Sequence, residues 1–526
     1  MDTNPNDPMD QTDVIRFLEG GAGSATPATR IDTHGALIFL IGDKAYKVKR
    51  AVKYDYMDLS TVKKRHDLLD REYALNQPTV PSIYDAVVPI VRRRDGSLAL
   101  GGDGTAVEWV LVMHRFAPTA ELINIAQQQG ISDDLAQALG TAIARYHSAA
   151  PVRDIDAATL ILEILDELGR VFGSISGDTS REGKAYVEQA RTVWSNSQNA
   201  LLQRSKGGHI RRCHGDLHLR NIVLIDGVPT PFDALEFDER LGTCDTLYDL
   251  AFLIMDLDHL GMRHAANLVL NAYLTATVEG FGNAGLSLLP LYLSIRAAIR
   301  AMVDLQTMQV ANNRSGLRQD ATVYLRQACA YLDPPKPSLV AIGGFSGTGK
   351  TTVARAVAHL IGAAPGAVHI RSDVLRKTLL HHDPMAPLPA AGYTPEITAQ
   401  TYAAMRAQAA GVLAQGHSVL LDAVHSDPAD RQAAQDLAEN SGFAFLGIWL
   451  TSSTKTRLSR VSSRGPDASD ADADVVRKQA VVDPGPVGWH HIDTDRSVNA
   501  TVQSVTTLLA AFADKGAPIG GGTHVG

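Results

Sequence analysis

The sequence has few cysteines, and their spacing predicts neither a disulfide framework nor a structural metal site. Cys213, Cys244 and Cys329 form no CxxC pair, so reduced thiols of a cytosolic protein are expected. Residues 1–13 are polar and lack the apolar core of a signal peptide. No run of about 18 uninterrupted apolar residues appears, which argues against a membrane span. We therefore expect a soluble, cytoplasmic protein.

The chain also lacks a strong charge of either sign and any internal repeat. Its formal net charge is −8, with charged residues at 20% and apolar residues at 45%, an ordinary balance for a globular protein. This charge argues against a nucleic-acid-coating role, and the composition indicates no membrane partner. Composition excludes these classes without indicating any chemistry.

The length of 526 residues exceeds what one hydrophobic core can organise and predicts several lobes. The clearest boundary is Asp333–Pro337, because three prolines in four positions cannot continue a helix. His147, in a predicted amphipathic helix over 132–149, is expected to be a packing residue. The strand candidates are 37–41, 45–49, 84–91 and 109–114. The predicted domains are a disordered tail at 1–12, a strand-rich lobe at 13–116, a helix-rich lobe at 117–332, the linker at 333–337, a third domain at 338–514 and a disordered tail at 515–526.

The first chemical motif is HGDLHLRN, His214–Asn221, followed by FDALEF, Phe232–Phe237. Phosphoryl transfer to a hydroxyl needs a carboxylate that receives the hydroxyl proton, and oxygen ligands that hold Mg²⁺ against the phosphates. Asp216, Asn221 and Asp233 have the residue types and the spacing of the corresponding kinase residues. The turn dipeptide Asp-Gly between two apolar runs predicts a hairpin that brings Asn221 and Asp233 to the same end.

A lysine that clamps the α- and β-phosphates is expected on an earlier strand, paired with a glutamate on the next helix. Alternation along 45–49 puts Lys47 and Lys49 on one face, and Glu72 is the natural partner. Lys47 is the predicted clamp and Lys49 the alternative. A second interpretation, in which both lysines merely solvate an edge strand, stays open. No GxGxxG loop occurs in this region, so its phosphate contacts are unassigned.

These motifs resemble the aminoglycoside phosphotransferase-like kinases. HGDLHLRN is similar to their catalytic loop, YDLA at Tyr248–Ala251 to the helix that follows, and THGALIFLIGDKAYKVKRAV to the N-terminal lobe of a bacterial subgroup. That subgroup is often fused to a P-loop kinase domain, as in bacterial bifunctional aminoglycoside phosphotransferase/ATP-binding proteins. The resemblance implies a bilobal protein-kinase-like fold.

The same resemblance assigns roles residue by residue. It implies that Asp216 is the catalytic base and that Asn221 and Asp233 are Mg²⁺ ligands. Asp249 would support the catalytic loop, with a simple helix N-terminal carboxylate as the alternative. Glu236 is a further acidic candidate.

The second motif, GFSGTGKT, fits the phosphate-loop pattern GxxxxGK[ST]. A strand is predicted before it at 338–342 and a helix after it at 352–360, which is the required context. Glycines let backbone N–H groups face the phosphates at a helix N-terminus, while Lys350 reaches the β- and γ-phosphates and the Thr351 hydroxyl binds Mg²⁺. The predicted nucleotide-binding residues are Gly344, Ser346, Gly347, Thr348, Gly349, Lys350, Thr351 and Thr352.

Two downstream segments extend this second site. Asp422 ends an apolar strand and is predicted to order Mg²⁺ in a Walker-B-like role, or alternatively to cap the next loop. The run Ser372–Arg376 resembles the SDxxR pattern of gluconate kinase-like and zeta-toxin-like P-loop kinases. That resemblance implies that Asp373 contacts the acceptor hydroxyl as a base and that Arg376 contacts substrate.

Three arginines at helical spacing precede an acidic run at 466–474, which is predicted to be a mobile loop. Arg457, Arg460 and Arg464 fit a lid that closes over the transferring phosphate. A solvated basic helix face is the alternative.

The predicted fold class is multidomain α+β and α/β, a bilobal kinase-like fold followed by a P-loop parallel-sheet domain. The predicted protein is an ATP- and Mg²⁺-dependent phosphotransferase with two modules acting on small-molecule hydroxyls, with no nucleic-acid or membrane partner. Two alternatives stay open. One module could bind ATP only to regulate the other, or the protein could confer aminoglycoside resistance.

Overall fold

The computed structural model describes residues 9–54, 57–175, 178–277, 285–308, 314–463 and 468–516. These residues belong to two compact units. The first comprises Met1–Ile131, Arg145–Ile155 and Gly208–Leu250, and the second comprises Ser132–Ala144, Asp156–Gly207 and Ala251–Gly526. The first unit contains the N-terminal sheet and the predicted catalytic loop. The second contains most helices and the phosphate loop.

The N-terminal region folds around an antiparallel sheet. Within the described residues, six strands pair in the order β1-β2-β3-β8-β6-β7. Alternate apolar residues of β2, Leu37, Phe39 and Ile41, face a core that also contains Ile90 and Val110, as a half-buried strand requires. The elements are α1 (Thr12–Glu19), β1 (Thr29–Asp32), β2 (Ala36–Ile41), β3 (Lys44–Lys49), β4 (Lys53–Tyr54), β5 (Met57–Asp58), α2 (Val62–Asn76), β6 (Tyr84–Arg92), β7 (Leu98–Leu100), β8 (Thr105–His114) and α3 (Leu122–Gln129).

The middle of the chain is mostly helical and contains one hairpin that matters for the site. Strands β10 and β11 pair with Ile225 opposite Val228. The two residues between them, Asp226 and Gly227, have positive φ angles of 49° and 79°, which is the geometry of a two-residue hairpin turn. The predicted hairpin is therefore confirmed. The elements are α4 (Asp133–Ala149), α5 (Ala157–Ser174), α6 (Asp178–Asn196), α7 (Gln198–Lys206), β9 (Ile210–Arg212), β10 (Ile222–Ile225), β11 (Val228–Pro231), β12 (Thr243–Asp245), α8 (Thr246–His259), α9 (Arg263–Ala276), α10 (Leu289–Thr307) and α11 (Arg314–Tyr331).

The C-terminal region is built on a parallel sheet whose described strands follow the order β14-β15-β13-β16-β17. Its inner strands are apolar on both faces, with Val340, Ile342, Leu420 and Ile448 all buried, because helices cover both sides. The elements are β13 (Ser338–Gly343), α12 (Lys350–Val357), β14 (Val368–Arg371), α13 (Ser372–Leu379), α14 (Pro395–Ala414), β15 (Val419–Asp422), α15 (Pro428–Asn440), β16 (Ala444–Thr451), α16 (Thr454–Ser463), α17 (Ala473–Gln479), β17 (His490–Asp493) and α18 (Val498–Gly516).

The predicted fold class is confirmed, and three local predictions need correction. Order begins before residue 13, since α1 starts at Thr12 and the buried Gln11 side chain bonds Glu108 and the Lys49 carbonyl. The acidic run is not a loop throughout, because Asp472 caps α17, which starts at Ala473. Helix α12 begins two residues earlier than predicted. The predicted tails otherwise lie mostly outside the described residues.

One apolar helical stretch, Leu286–Thr307, is long and apolar enough to cross a membrane by length and composition. However, 67% of its apolar window is buried inside the protein. Core helices of globular proteins have the same composition. Packing within the second unit therefore accounts for this sequence.

Candidate active sites

The first site centres on two lysines that share one buried glutamate. Lys47 Nζ lies 2.6 Å from Glu72 Oε1 and 2.7 Å from Asp233 Oδ1. Lys49 Nζ lies 2.6 Å from Glu72 Oε2 and 2.5 Å from Glu236 Oε1. Glu72 on α2 is fully buried, and β3 lies inside the sheet. The alternative in which both lysines solvate an edge strand is therefore wrong.

The charges of this cluster are unbalanced, with two ammonium groups facing three carboxylates. Burial alone would lower the pKa of the Lys47 ammonium, but the carboxylates of Asp233 and Glu72 outweigh it and raise that pKa well above its usual value. Burial likewise opposes ionisation of Asp233, yet the charge of Lys47 holds its pKa below the ordinary range. Both groups are therefore charged at neutral pH. The carboxylate oxygens of the cluster are ligands that fit a hard divalent cation.

Lys47, rather than Lys49, contacts the predicted metal-binding aspartate. Asp233 adopts a positive φ of 61°, and its backbone N–H donates to the Tyr84 hydroxyl at 3.0 Å. The next residue, Ala234, donates to the side-chain oxygen of Asn76 at 2.9 Å. Tyr84 and Asn76 thus fix this unusual backbone segment. Sequence reasoning did not identify either residue, because their role depends on contacts distant in sequence.

The predicted catalytic loop follows β9, and hydrogen bonds between its own residues hold it. Asn221 Nδ2 donates to the backbone oxygen and to Oδ2 of Asp216, both at 2.9 Å. With the nitrogen used in this way, the amide oxygen is the atom that would coordinate a cation. The N–H of Phe232 donates to the Asn221 carbonyl at 2.9 Å, so the hairpin brings Asn221 next to Asp233. The Asp216 side chain is 42% exposed.

Asp249 accepts hydrogen bonds from the first residues of this loop. Its two carboxylate oxygens accept the backbone N–H groups of His214 at 3.1 Å and of Gly215 at 2.9 Å. The buried ring of His147 donates to the same carboxylate at 3.1 Å. Asp249 therefore contacts the loop as the resemblance implied, and the simple helix-terminus alternative is incomplete. His147 is buried as predicted, but it also orients Asp249.

Arg212 fastens the segment that follows Asp233. Its guanidinium donates to the carbonyls of Leu235 and Gly242 and lies 3.2 Å from the Glu239 carboxylate. A Cβ at Gly242 would meet this guanidinium, so a larger residue there would have to displace the Arg212 side chain. Glu239 also pairs with Arg71 at 2.7 Å and with Arg153 at 3.0 Å. One carboxylate thus joins this segment to helix α2, next to Glu72.

The phosphate loop of the second unit connects β13 to α12. Gly344, Gly347 and Gly349 all have positive φ angles, of 137°, 84° and 88°, which side chains disfavour. A Cβ at Gly347 would lie 2.7 Å from the backbone oxygen of Arg457. Helix α16 therefore packs directly on the loop, and glycine is required there for space as well as for conformation.

The metal-binding residues predicted for this unit meet at the ends of α12 and β15. The Thr351 hydroxyl donates to Asp422 Oδ2 at 2.7 Å, and the His369 ring donates to the same oxygen at 3.2 Å. Burial disfavours the Asp422 carboxylate, but His369 and the charges of Arg371 and Lys350 hold its pKa far below the ordinary value. A hydroxyl and an ionised carboxylate fit Mg²⁺. His369 is a residue that sequence reasoning missed.

A cavity of about 860 Å³ opens beside the loop, a size suited to a nucleotide with a small acceptor. Lys350, Asp373 and Arg376 line it. Burial raises the pKa of the Asp373 carboxyl. Arg376 donates to the Gly392 carbonyl and to Thr398, each at 3.2 Å, and its buried Nε has no hydrogen-bond partner among the described residues.

Arg457 and Arg460 of α16 make specific hydrogen bonds within the second unit and do not form a solvated basic face. Arg457 is buried and donates to the Ser346 carbonyl of the phosphate loop at 2.8 Å. Arg460 lines the cavity and donates to the carbonyl and hydroxyl of Thr494. Arg464 lies outside the described residues. Gln479 accepts the Ser346 N–H at 2.7 Å and so joins α17 to the loop.

Comparison with curated proteins places the chain in a family. The "Uncharacterized protein Rv2004c" of Mycobacterium tuberculosis (strain ATCC 25618 / H37Rv) is 30% identical over 481 residues, which is 88% of this chain and 91% of the relative. "Uncharacterized protein Mb2027c" of Mycobacterium bovis (strain ATCC BAA-935 / AF2122/97) matches to the same extent. The chain belongs to their family. In this Rv2004c family member, a family model described as "AAA domain" matches residues 339–482, which include the phosphate loop and Asp422.

Solved structures of kinases resemble the two parts of this Rv2004c family member. A choline/ethanolamine kinase family protein from Mesorhizobium loti is 16% identical and covers 62% of this chain and 95% of its own, with a TM-score of 0.40. A gluconokinase from Sinorhizobium meliloti 1021 is 19% identical and covers 34% of this chain and 96% of its own, with a TM-score of 0.27.

A thermostable mutant of the aminoglycoside phosphotransferase APH(4)-Ia is 14% identical and covers 60% of this chain and 98% of its own, with a TM-score of 0.39. The antiparallel sheet with the Lys47–Glu72 pair and the parallel sheet with the phosphate loop, together with the "AAA domain" match, confirm the resemblance predicted from sequence. This Rv2004c family member has an aminoglycoside phosphotransferase-like fold followed by a P-loop kinase domain.

Proposed function

We propose that the protein is an ATP- and Mg²⁺-dependent phosphotransferase with two modules. Each module would transfer the γ-phosphoryl group of ATP to a hydroxyl of a small molecule. One observation carries the proposal. In each unit a lysine, a carboxylate that is exposed or lines a cavity, and a set of oxygen ligands lie on elements that meet at one place, and phosphoryl transfer needs a phosphate-binding cation, a base and metal ligands.

In the first module, Lys47 would pair with the α- and β-phosphates, its ammonium held by Glu72. Asp233 and Asn221 would hold Mg²⁺, which neutralises charge on the phosphates when bound. Asp216 would orient the acceptor hydroxyl and receive its proton as the oxygen attacks phosphorus. The exposure of Asp216 supports this role, because the acceptor must reach it.

In the second module, the backbone N–H groups of the phosphate loop and Lys350 would bind the phosphates. Thr351 and Asp422 would hold Mg²⁺. Asp373 would orient the acceptor hydroxyl, and its raised pKa brings it closer to the value that suits a general base near neutral pH. Arg376 would contact the acceptor through its unpartnered Nε.

The acceptors we propose are small molecules with hydroxyl groups, such as sugars or aminoglycosides. The size of the cavity in the second unit supports this class. The cytoplasm, which supplies ATP and Mg²⁺, is the compartment we propose, in keeping with the three free cysteines.

Two single variants of the full-length chain test the proposal. Wild type, Asp216→Ala and Lys350→Ala would be incubated with γ-labelled ATP and a panel of sugars, aminoglycosides and nucleosides. Each variant should lose the products of its own module and keep those of the other. Undiminished phosphorylation in both variants would refute the two-kinase proposal. If Lys350→Ala removes nucleotide binding without removing any product, the second module is a regulatory nucleotide-binding unit.

A further inference from the structure

The middle of helix α9 is buried on every side, although the helix is not part of the P-loop sheet. Its six consecutive residues 265 to 270 are each at most 5% exposed, whereas a surface helix exposes residues every three or four positions. On one side, Gly140 of α4 packs so closely on the backbone oxygen of Val269 that a Cβ there would collide. The helix therefore needs a second neighbour to cover its other side. All of these residues belong to the second unit.

That second neighbour is β14, which lies at one edge of the parallel sheet in the described residues. Asn271 Oδ1 accepts the backbone N–H of His369 at 2.7 Å, and its Nδ2 donates to the Ala367 carbonyl at 3.2 Å. Asn267 Nδ2 donates to the same carbonyl at 3.0 Å. The two amides thus replace the hydrogen bonds that a neighbouring strand would make, since edge-strand groups need partners when they are covered.

His369, whose backbone N–H is bonded to Asn271, also contacts the predicted metal site through its side chain. The His369 ring donates to Asp422 Oδ2 at 3.2 Å, and the same oxygen accepts the Thr351 hydroxyl at 2.7 Å. The ring and the carboxylate are both buried, with side-chain exposures of 7% and 3%. A continuous series of three hydrogen bonds therefore runs from helix α9 to the hydroxyl at the start of α12.

The backbone that leads into β14 is tightly packed and has little room to move. Gly366, just before β14, has a φ of 124°, and a Cβ there would lie 2.5 Å from the Ala358 carbonyl and 2.9 Å from Asn267 Nδ2. The backbone leading into β14 is therefore clamped between Asn267 and the helical turn after α12. A displacement of α9 would have to move His369 as well.

We propose that Asn271 and His369 are positioning residues of the P-loop site, through which helix α9 sets the orientation of the Asp422 carboxylate and hence the affinity for magnesium-bound nucleotide. This inference rests on the nucleotide-binding role proposed above for the second unit. It makes α9, whose sequence lies before the proline-rich linker, a working part of the P-loop module. By linkage, nucleotide bound in the P-loop site would also stabilise α9.

The test measures nucleotide affinity in the full-length chain carrying Asp233→Asn, which removes the magnesium-dependent contribution of the first site. The probe is a fluorescent non-hydrolysable ATP analogue, titrated with and without Mg²⁺. Asn271→Leu is close in shape but makes no hydrogen bond. Asn267→Leu is the matched control, since it removes a bond to β14 and leaves the bond to His369.

Asn271→Leu should weaken binding about fivefold with Mg²⁺ present, the effect of losing one positioned hydrogen bond, and leave magnesium-free binding unchanged. His369→Leu should do the same. His369→Gln should restore affinity to within about twofold, because its amide N–H can reach the Asp422 carboxylate. Asn267→Leu should stay within about twofold of the parent.

Wild-type affinity in both leucine variants, or an equal loss with and without Mg²⁺, would overturn the inference, because only positioning of the metal site makes the effect magnesium-dependent. If Asn271→Leu does not fold, the two His369 variants decide the question. Failure of the proposed function gives a different result. In that case the parent shows no magnesium-dependent binding, or adding Lys350→Ala does not remove it.

Discussion

Replacing Glu72 by glutamine should destabilise the first unit far more than its small change in shape suggests. The substitution removes the one charge that two buried ammonium groups share, those of Lys47 and Lys49 at 2.6 Å each. Breaking a buried ion pair by removing one partner costs about 3–5 kcal/mol. Asp233 and Glu236 remain beside the lysines, so we expect the lower end, about 3 kcal/mol.

The stability difference between the Glu72 variant and the wild type should also depend on pH in a defined direction. In the wild type the pKa of Lys47 is raised, so its contribution to stability is fully present below the unfolded value of about 10.5 and is lost only as pH rises through the higher folded value. Without Glu72, Lys47 keeps Asp233 but loses one of the carboxylates that outweigh burial, so its folded pKa is lower in the variant than in the wild type. The folded variant then gives up the Lys47 proton at a lower pH than the folded wild type does. The stability gap between variant and wild type should therefore shrink as pH rises into that range.

The measurement is urea unfolding followed by a brief hydrogen-exchange pulse at fixed pH. Mass spectrometry then reports the unfolded fraction of peptides from β3 and from α2 separately. A loss of about 3 kcal/mol lowers the urea midpoint by about 1–3 M. The matched control is Asp85→Asn, which breaks the partly exposed pair with Lys44 on the same strand and should cost less than about 1 kcal/mol. Equal effects of the two substitutions, or a gap that widens with pH, would refute the reasoning.

Three further predictions follow from the sites. Lys47→Met should abolish phosphorylation by the first module in the labelled-ATP assay. Lys49→Met leaves the contact between Lys47 and Asp233 and should retain at least about a tenth of the wild-type activity. The reverse order of activities would make Lys49 the lysine that clamps the phosphates. Asp249→Asn places an amide against the N–H groups that the carboxylate accepts, so the same assay should show a drop of at least about tenfold, and wild-type turnover would contradict this role. Gly347→Ala should lower the thermal stability of the second unit more than Gly349→Ala, because only the first Cβ meets backbone within 3 Å; equal melting temperatures would contradict the packing of α16 on the loop.

Local chemistry made the arrangement of the loop from His214 to Asn221 predictable. Asp216 and Asn221 are five residues apart, and the hairpin that brings Asn221 to Asp233 depends only on a two-residue turn with positive φ angles. The Lys47–Glu72 pair was predicted from strand alternation together with the need of a kinase for a phosphate-binding lysine paired with a glutamate. Each of these signals is contained in a short stretch of chain, where backbone geometry leaves few arrangements.

The residues that sequence reasoning missed are those whose partners are distant in the chain. His369 meets Asp422 across 53 positions and Asn271 across 98, and VHIR reads as an ordinary strand. The same limit applies to Asp470, in the acidic run predicted to be a loop. Its carboxylate accepts from the fully buried Lys377 at 2.9 Å and from the Leu388 N–H at 3.0 Å. Charge density alone predicted a mobile loop there, whereas a buried lysine, a backbone N–H and the Tyr393 hydroxyl all donate to this carboxylate and hold the segment.

The covering of β14 also bears on why the helical segment and the P-loop sheet occur in one chain. An edge strand with free N–H and C=O groups invites pairing with other chains. Here Asn267 and Asn271 occupy the Ala367 carbonyl and the His369 N–H, so the edge is closed by side chains that lie before the proline-rich linker. Cutting the chain at the linker would expose this edge and remove the support of His369 in one step. Sequence alone predicts the proline-rich stretch as a domain boundary. In the structure it separates two segments, α9 and β14, that are hydrogen-bonded to each other.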